Sequence, residues 1–220
     1  MRITIPATVV FDCDGTLVDS EEIHAKALEG ALAEFGVHLT AAQIRSHSAG
    51  IANEDYLSLV AAERGVVLPP DAPRRVEDIA ERLIETEIRL IGGADEVVRT
   101  LAARGVRLAV ASNSCRRLVH QMLRAARLAP IFGDRVATRD DVAEAKPAPD
   151  VYRYAAGLLD ARAEDCLAVE DSVVGVASAH AAGMTVVGVR PPVTIFSEAQ
   201  LLNAGASVVI RELPEILNWL

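Results

Sequence analysis

Two aspartates one residue apart, Asp12 and Asp14, stand directly after a short apolar run at positions 7–11. The run is rich in β-branched residues and predicts a buried strand, and the alternation of side chains along a strand puts both carboxylates on one side. Two carboxylates held together repel each other unless a cation or a proton intervenes. A bound Mg²⁺ would supply the cation, and a nucleophile working beside an acid/base would share the proton. An isolated pair of this kind is equally typical of turns and helix caps.

Further polar side chains follow later predicted strands. Ser112 and Asn113 come after the apolar run that ends at Ala111, where a hydroxyl and an amide can bind a phosphoryl oxygen or cap the next helix. Lys146 stands in a loop that two prolines stiffen. In that loop it can neutralise the charge of a phosphate, or it can be an ordinary surface lysine.

Two acids, Glu170 and Asp171, follow the apolar run that ends at Val169. Carboxylate oxygens suit a hard cation such as Mg²⁺, although the same residues could cap the helix that begins near Val174. Because ligands of open parallel sheets bind at the carboxyl ends of the strands, we expect these acids to meet the first aspartate pair there.

The elements that must position these residues are strands alternating with helices, and this alternation predicts a parallel sheet covered on both faces. The block from about Ser20 to Leu90 instead has helical periodicity throughout. We therefore predict an α/β fold in which residues 1–19 and 91–220 form the sheet domain and residues 20–90 an inserted helical domain. The predicted strands are Ala7–Phe11, Arg107–Ala111, Arg135–Thr138, Cys166–Val169, Thr185–Val189 and Ser207–Ile210; the predicted helices of the inserted block include Thr40–His47, Asn53–Arg64 and Arg74–Arg89.

Composition and charge exclude several classes of protein. A hydrophobic content of 51% with 24% charged residues is typical of a globular protein and not of a disordered one. The net charge of −9 argues against a nucleic-acid surface. The three cysteines lack metal-ligand spacing and are expected to be reduced thiols, and the first ten residues do not resemble a signal peptide. We expect a cytoplasmic protein without nucleic-acid or membrane partners, as a monomer or a weak homodimer.

Four segments, FDCDGTLVDSE, ASNS, KPAPD and VEDSVVGV, together resemble the four motifs of the haloacid dehalogenase superfamily in order and spacing. The resemblance covers nearly the whole chain. It implies a Rossmann-like core with a helical C1-type cap domain inserted after the first strand, in the β-phosphoglucomutase-like and sugar-phosphate phosphatase branch. It also implies Mg²⁺ as the cofactor and a small phosphorylated metabolite as the substrate.

The same resemblance implies roles for individual residues. Asp12 corresponds to the nucleophile, and Asp14 to the general acid/base, whose main-chain carbonyl also binds the metal. The true dehalogenases lack an acid at the second position, so Asp14 favours phosphoryl transfer. The remaining positions are Ser112 and Lys146 for phosphate binding with Asn113 in support, and Asp171 with Glu170 for the metal, the latter directly or through another group.

The substrate is expected to depend on the cap. The segment from His47 to Glu54 resembles the cap loop of the β-phosphoglucomutase-like branch, but Ala49 and Asn53 stand where that branch carries basic residues. A mutase must hold a second phosphate on its substrate, so the absence of these basic residues disfavours a mutase. The candidate substrate residues are Gly50, Asn53 and Arg45. Arg45, Arg116 and Arg117 could compensate for the missing cations, and roles for His24 and Cys115 stay open.

We therefore expect a Mg²⁺-dependent phosphatase acting through a phospho-aspartyl intermediate. The expected substrate is a sugar phosphate or a sugar acid similar to 6-phosphogluconate. The alternatives are a β-phosphoglucomutase-like phosphosugar mutase and a non-catalytic regulator that binds phosphorylated metabolites.

Overall fold

The computed structural model describes residues 6–48 and 53–219. Within these residues the strands are β1 (Thr8–Phe11), β2 (Val18–Asp19), β3 (Arg89–Leu90), β4 (Arg107–Ala111), β5 (Val136–Ala137), β6 (Leu167–Glu170), β7 (Thr185–Val189) and β8 (Val208–Ile210). The α-helices are α1 (Glu21–Glu34), α2 (Ala41–Ser48), α3 (Asn53–Arg64), α4 (Ala72–Glu87), α5 (Ala94–Ala103), α6 (Arg116–Ala125), α7 (Ala129–Phe132), α8 (Asp150–Leu158), α9 (Val173–Ala181) and α10 (Glu198–Ala204).

Six strands form one sheet in the order β5-β4-β1-β6-β7-β8, and every neighbouring pair is parallel. The first strand, β1, whose four residues are all buried, lies between β4 and β6. Its last residue, Phe11, is in register with Val110 of β4 and Val169 of β6. This confirms the predicted α/β fold with a Rossmann-like parallel sheet. It also means that the residues following β1, β4 and β6 begin at the same edge of the sheet.

Both faces of the sheet are covered, because successive residues of β1 point to opposite faces and yet all are buried. Val10 belongs to a core cluster with residues of α8 and α9, such as Tyr152 and Val176. Its neighbours Val9 and Phe11 are likewise fully buried on the other face. The aliphatic and alanine-rich composition of the strands therefore builds a core that holds the strand ends in place.

The chain divides into two compact units, one formed by Met1–Asp19 with Arg89–Leu220 and the other by Ser20–Ile88. The sheet belongs to the first unit. The second unit consists of α1 to α4, and its core includes Leu28 and Leu32 of α1 and Val76 and Ile84 of α4. No helix within residues 6–48 and 53–219 is both long enough and apolar enough to cross a bilayer.

Three details of the secondary structure differ from the sequence prediction. The helix α4 ends at Glu87, and Arg89 belongs to β3, which pairs antiparallel with β2. Two-residue strands show no measurable period, so the pattern could not indicate them. The helices α7 and α10 were also not predicted, although Ser197 and Gln200 form a capping box at the start of α10 that the sequence does indicate.

Candidate active site

The carboxyl ends of β1, β4 and β6 bring the predicted acids and hydroxyls to one edge of the sheet. The main-chain N–H of Asp12 donates to the carbonyl of Val169 over 3.0 Å, and that of Ser112 donates to Ala137 over 3.0 Å. These bonds continue the parallel ladder for one residue beyond the strands. The side chains of Asp12 and Ser112 therefore start from rigid backbone and not from a mobile loop.

The Lys146 ammonium lies between two carboxylates. Its Nζ atom is 2.6 Å from Oδ1 of Asp12 and 2.6 Å from Oε1 of Glu170, and only 4% of the lysine side chain is exposed. Burial alone would lower the pKa of Lys146, but the charges of Asp12 and Glu170 outweigh it, so that the pKa is raised and the group stays cationic. The buried lysine is thus held as a fixed positive charge beside Asp12.

The loop that carries Lys146 is fixed by Asn113. The side-chain oxygen of Asn113 accepts the main-chain N–H of Lys146 over 2.9 Å, and its amide donates to the carbonyl of the same residue over 3.2 Å. One side chain following β4 therefore holds both main-chain polar groups of the lysine. This contact orients the backbone from which the ammonium extends.

The carboxylate of Asp14 accepts hydrogen bonds from two serines. Its Oδ2 atom is 3.1 Å from Oγ of Ser112 and 2.9 Å from Oγ of Ser114, and the Ser112 hydroxyl in turn accepts the main-chain N–H of Ser114 over 3.0 Å. Ser114 was not among the predicted site residues, although it ends the same short motif. Cys115 occupies the cap position of α6, so Ser112 and Asn113 do not cap that helix.

Glu170 is fully buried, and both of its oxygens are bonded to the protein. Oε1 accepts from Lys146 and from the Tyr152 hydroxyl at 2.9 Å, whereas Oε2 accepts the main-chain N–H and the hydroxyl of Ser172, both at 3.0 Å. A carboxylate offers about four acceptor positions, and here four donors use them. The Ser172 side chain also caps α9 by accepting the N–H of Gly175. Neither Glu170 nor Asp171 is therefore needed as the cap of that helix.

A divalent cation fits the acidic cluster. Asp12, Glu170 and Asp171 each offer a carboxylate oxygen, and these oxygens lie within 4.8 Å of one another. Gly15 adopts a positive φ of 83°, and a Cβ at that position would overlap the carboxylate of Asp171. Hard oxygen donors in this number are typical of a Mg²⁺ site, and the four donors already on Glu170 make Asp12 and Asp171 the more available ligands.

The raised pKa of Asp12 also favours a bound cation at this cluster. Burial raises the pKa of its carboxyl well above the ordinary value; the Lys146 ammonium opposes this, and the carboxylates of Glu170 and Asp14 add to it. One ammonium therefore does not balance the acids of the cluster. A second positive charge would favour the ionised form of Asp12.

The comparisons with known proteins agree with this geometry. The sequence pattern of the haloacid dehalogenase-like hydrolases matches residues 6–183. This chain belongs to that family. The 6-phosphogluconate phosphatase of Escherichia coli (strain K12) is 31% identical over 180 residues, which are 81% of this chain and 80% of that protein. The family and its phosphatase relatives make this chain a phosphatase, which argues against the alternative of a non-catalytic regulator.

Two further similarities extend over nearly the whole chain. The structure of a variant of CbbY from Rhodobacter sphaeroides in complex with xylulose-(1,5)bisphosphate has a TM-score of 0.82 and 28% identity, and the match covers 96% of both chains. The protein SUPPRESSOR OF QUENCHING 1 of Arabidopsis thaliana is 31% identical over 214 residues, or 96% of this chain. The chain spans only 20% of the length of that protein.

The helical unit of this haloacid dehalogenase-like hydrolase carries the residues predicted to contact the substrate. Arg45 forms an ion pair with Glu22 at 2.7 Å, in which about half of each side chain is exposed. The side-chain amide of Asn53 is 3.5 Å from Nδ1 of His24. Gly50 lies outside the described residues. The structure thus joins Asn53 to the histidine that the sequence had left without a role.

Proposed function

We propose that this phosphatase is a Mg²⁺-dependent phosphoric monoester hydrolase whose nucleophile is Asp12. The observation that carries the proposal is the position of Asp12 at the end of the central strand, 2.6 Å from the buried ammonium of Lys146. The ammonium contacts Oδ1 of Asp12, and no hydrogen bond to Oδ2 is found among the described residues. That second oxygen is available for attack on phosphorus.

In this proposal Asp12, Asp171 and the main-chain carbonyl of Asp14 would hold the Mg²⁺ ion. The bound ion supplies positive charge that relieves the repulsion between a carboxylate and the phosphoryl oxygens. Glu170 contributes by holding Lys146. Carboxylate oxygens of Asp12 and Asp171 lie within 4.8 Å of each other, which supports these two members of the donor set.

The reaction has two steps. In the first, Oδ2 of Asp12 forms a bond to phosphorus while the ester bond breaks, and Asp14 donates a proton to the leaving oxygen. The Lys146 ammonium stabilises the charge on the phosphoryl oxygens throughout, and the Ser112 hydroxyl can donate to them by exchanging its bond to Asp14. In the second step, Asp14 accepts a proton from water, the water oxygen attacks phosphorus, and the bond to Asp12 breaks to release inorganic phosphate.

The proposed substrate is a sugar phosphate or a phosphorylated sugar acid. One relative is named for 6-phosphogluconate, and one similar structure was solved with a sugar bisphosphate. We propose that the helical unit acts as the cap and selects the substrate through Asn53, Arg45 and the glycine at position 50. A polyhydroxylated substrate suits the neutral amide of Asn53 better than a second phosphate does.

The mutase alternative has less support. It requires cations for a second phosphate, and Asn53 stands where the mutase branch has an arginine. Two arginines that could replace it have acidic partners: Arg45 pairs with Glu22, and Arg116 pairs with Asp141. Recruiting either arginine would require breaking an existing ion pair.

The test is a phosphate-release screen over phosphorylated sugars and sugar acids with Mg²⁺. We expect release from the native chain on at least one of these compounds, a loss of several orders of magnitude in Asp12→Asn, and no loss in Asp134→Asn, which changes an exposed aspartate. Isomerisation of a phosphohexose without phosphate release would instead identify a mutase. Full activity in pure Asp12→Asn would refute the assignment of the nucleophile.

A further inference from the structure

Tyr152 of α8 is a fully buried tyrosine whose hydroxyl points into the charged centre. Its hydroxyl donates to Oε1 of Glu170 over 2.9 Å and lies 3.4 Å from Nζ of Lys146. The ammonium also lies over its ring, 4.9 Å from the centroid. The rest of the side chain packs in the apolar core beside β4 and β6. Packing alone would be satisfied by a phenylalanine, so the hydroxyl has a separate role.

We propose that Tyr152 is a positioning residue for phosphoryl transfer, which fixes the carboxylate of Glu170 and thereby the direction of the Lys146 ammonium. The inference rests on the proposed function, in which that ammonium stabilises the phosphoryl group bound to Asp12. Tyr152 itself does not contact the reacting atoms. It acts on the ammonium by fixing the carboxylate of Glu170.

The hydrogen bonds of Lys146 indicate how the ammonium would move if the Tyr152 hydroxyl were lost. An ammonium has three donors, and here they are directed to Asp12, to Glu170 and, over the longest distance, to the Tyr152 hydroxyl. A lysine stem is flexible, so the ammonium goes where its acceptors are. Oε1 of Glu170 now divides its acceptor capacity between the tyrosine and the lysine. Without the hydroxyl, that oxygen would bind the ammonium alone and draw it away from Asp12.

The carboxylate of Glu170 cannot turn to compensate for a lost Tyr152 hydroxyl, because its other contacts hold it. Oε2 of Glu170 is held by the N–H and hydroxyl of Ser172. A Cβ at Gly175 would overlap Oε1, so the backbone of α9 closes that side. The carboxylate is thus fixed by α9 on one side, and Tyr152 supplies the only neutral donor to Oε1 among the described residues.

The experiment compares Tyr152→Phe with Tyr154→Phe in the full chain. Phenylalanine keeps the ring and its contact with the ammonium and removes only the hydroxyl. We expect kcat to fall by about tenfold in Tyr152→Phe, the size expected when a hydrogen bond to a charged group is lost. Inorganic phosphate should also inhibit this variant more weakly. Tyr154 lies two residues along the same helix with 42% of its surface exposed, so Tyr154→Phe should match the native chain.

A double-mutant cycle with Glu170→Gln separates positioning from a structural effect. If Tyr152 acts through Glu170, then Tyr152→Phe should change kcat by less than about twofold in the Glu170→Gln background. Fully multiplicative effects would overturn the inference. So would native kinetics in Tyr152→Phe while Lys146→Ala is inactive, an outcome that leaves the proposed function intact. A native chain that releases no phosphate with Mg²⁺ from any sugar phosphate would overturn both.

Discussion

The chain contains only two lysines, Lys26 in the helical unit and Lys146 in the sheet unit. Each has its Nζ atom 2.6 Å from a carboxylate oxygen, Lys26 from Glu87 and Lys146 from Asp12. The first side chain is 39% exposed and the second 4%. Two ion pairs of equal length therefore differ mainly in their access to water.

That difference decides what each pair does. An exposed pair gains little, because water and salt screen both charges. A buried charge is costly unless its partners remain, so removing Lys146 would leave the carboxylates of Asp12 and Glu170 uncompensated. Burying the second pair costs free energy and makes stability sensitive to substitution of either partner. This is typical of a site whose geometry is fixed before the substrate binds.

Between the two lysines, the larger effect should come from Lys146→Ala. We expect kcat/KM to fall by about 10³-fold and the free energy of unfolding by about 3 kcal/mol, because two buried carboxylates lose their counter-charge. Phosphate release and urea unfolding measure the two quantities. Lys26→Ala is the matched control and should change neither. Equal effects of the two substitutions would contradict the comparison.

A smaller effect is expected from Gly175→Ala. The added methyl group would overlap the carboxylate of Glu170, which must then move and take Lys146 with it. We expect kcat to fall by about 10²-fold and stability by about 2 kcal/mol. Gly157→Ala in α8 is the control, since a Cβ there meets nothing within 4 Å. That variant should be active and as stable as the native chain or slightly more so.

Ser114→Ala should have a moderate effect. It removes one of the two hydroxyls that bind Oδ2 of Asp14, while Ser112 keeps the other. We expect kcat to fall by about fivefold with KM nearly constant, since the role proposed for Asp14 is to move protons and not to bind the phosphate. Ser58→Ala on α3 removes a hydroxyl that donates to the carbonyl of Glu54 in the same helix, and it should not change activity. A change confined to KM would argue against the assignment of Asp14.

The smallest perturbation is amine labelling of the native chain. The labelling reagent reacts with neutral amines. Lys146 should react slowly, because it is buried and because Asp12 and Glu170 keep it cationic. Lys26 is accessible, although the hydrogen bond that it donates to Glu87 raises its pKa too. Mass spectrometry should therefore find Lys26 modified before Lys146, with phosphatase activity retained. In urea the two lysines should react at similar rates, and faster modification of Lys146 in the folded chain would contradict its burial.

Much of the fold could be predicted because its signals are local. The bounds of β4, β7 and α3 are as the pattern predicts, since each has a clear apolar period between residues that end strands or helices. The acids after β1 and β6 and the lysine in its proline-containing loop were also recognisable from residue type and position. The rule that ligands bind at the carboxyl ends of parallel strands was sufficient to predict that these residues lie close together.

The sequence by itself therefore determined the fold class, the family and the set of ionisable groups at the sheet edge. Only the tertiary structure decided how those groups are bonded. Asp12 and Lys146 are 134 positions apart, and Tyr152 meets Glu170 across a helix-to-strand connection, so no local pattern records their contact. The physical reason is that periodicity reports which face of an element is apolar, whereas the direction of a buried polar side chain depends on donors and acceptors that other elements supply.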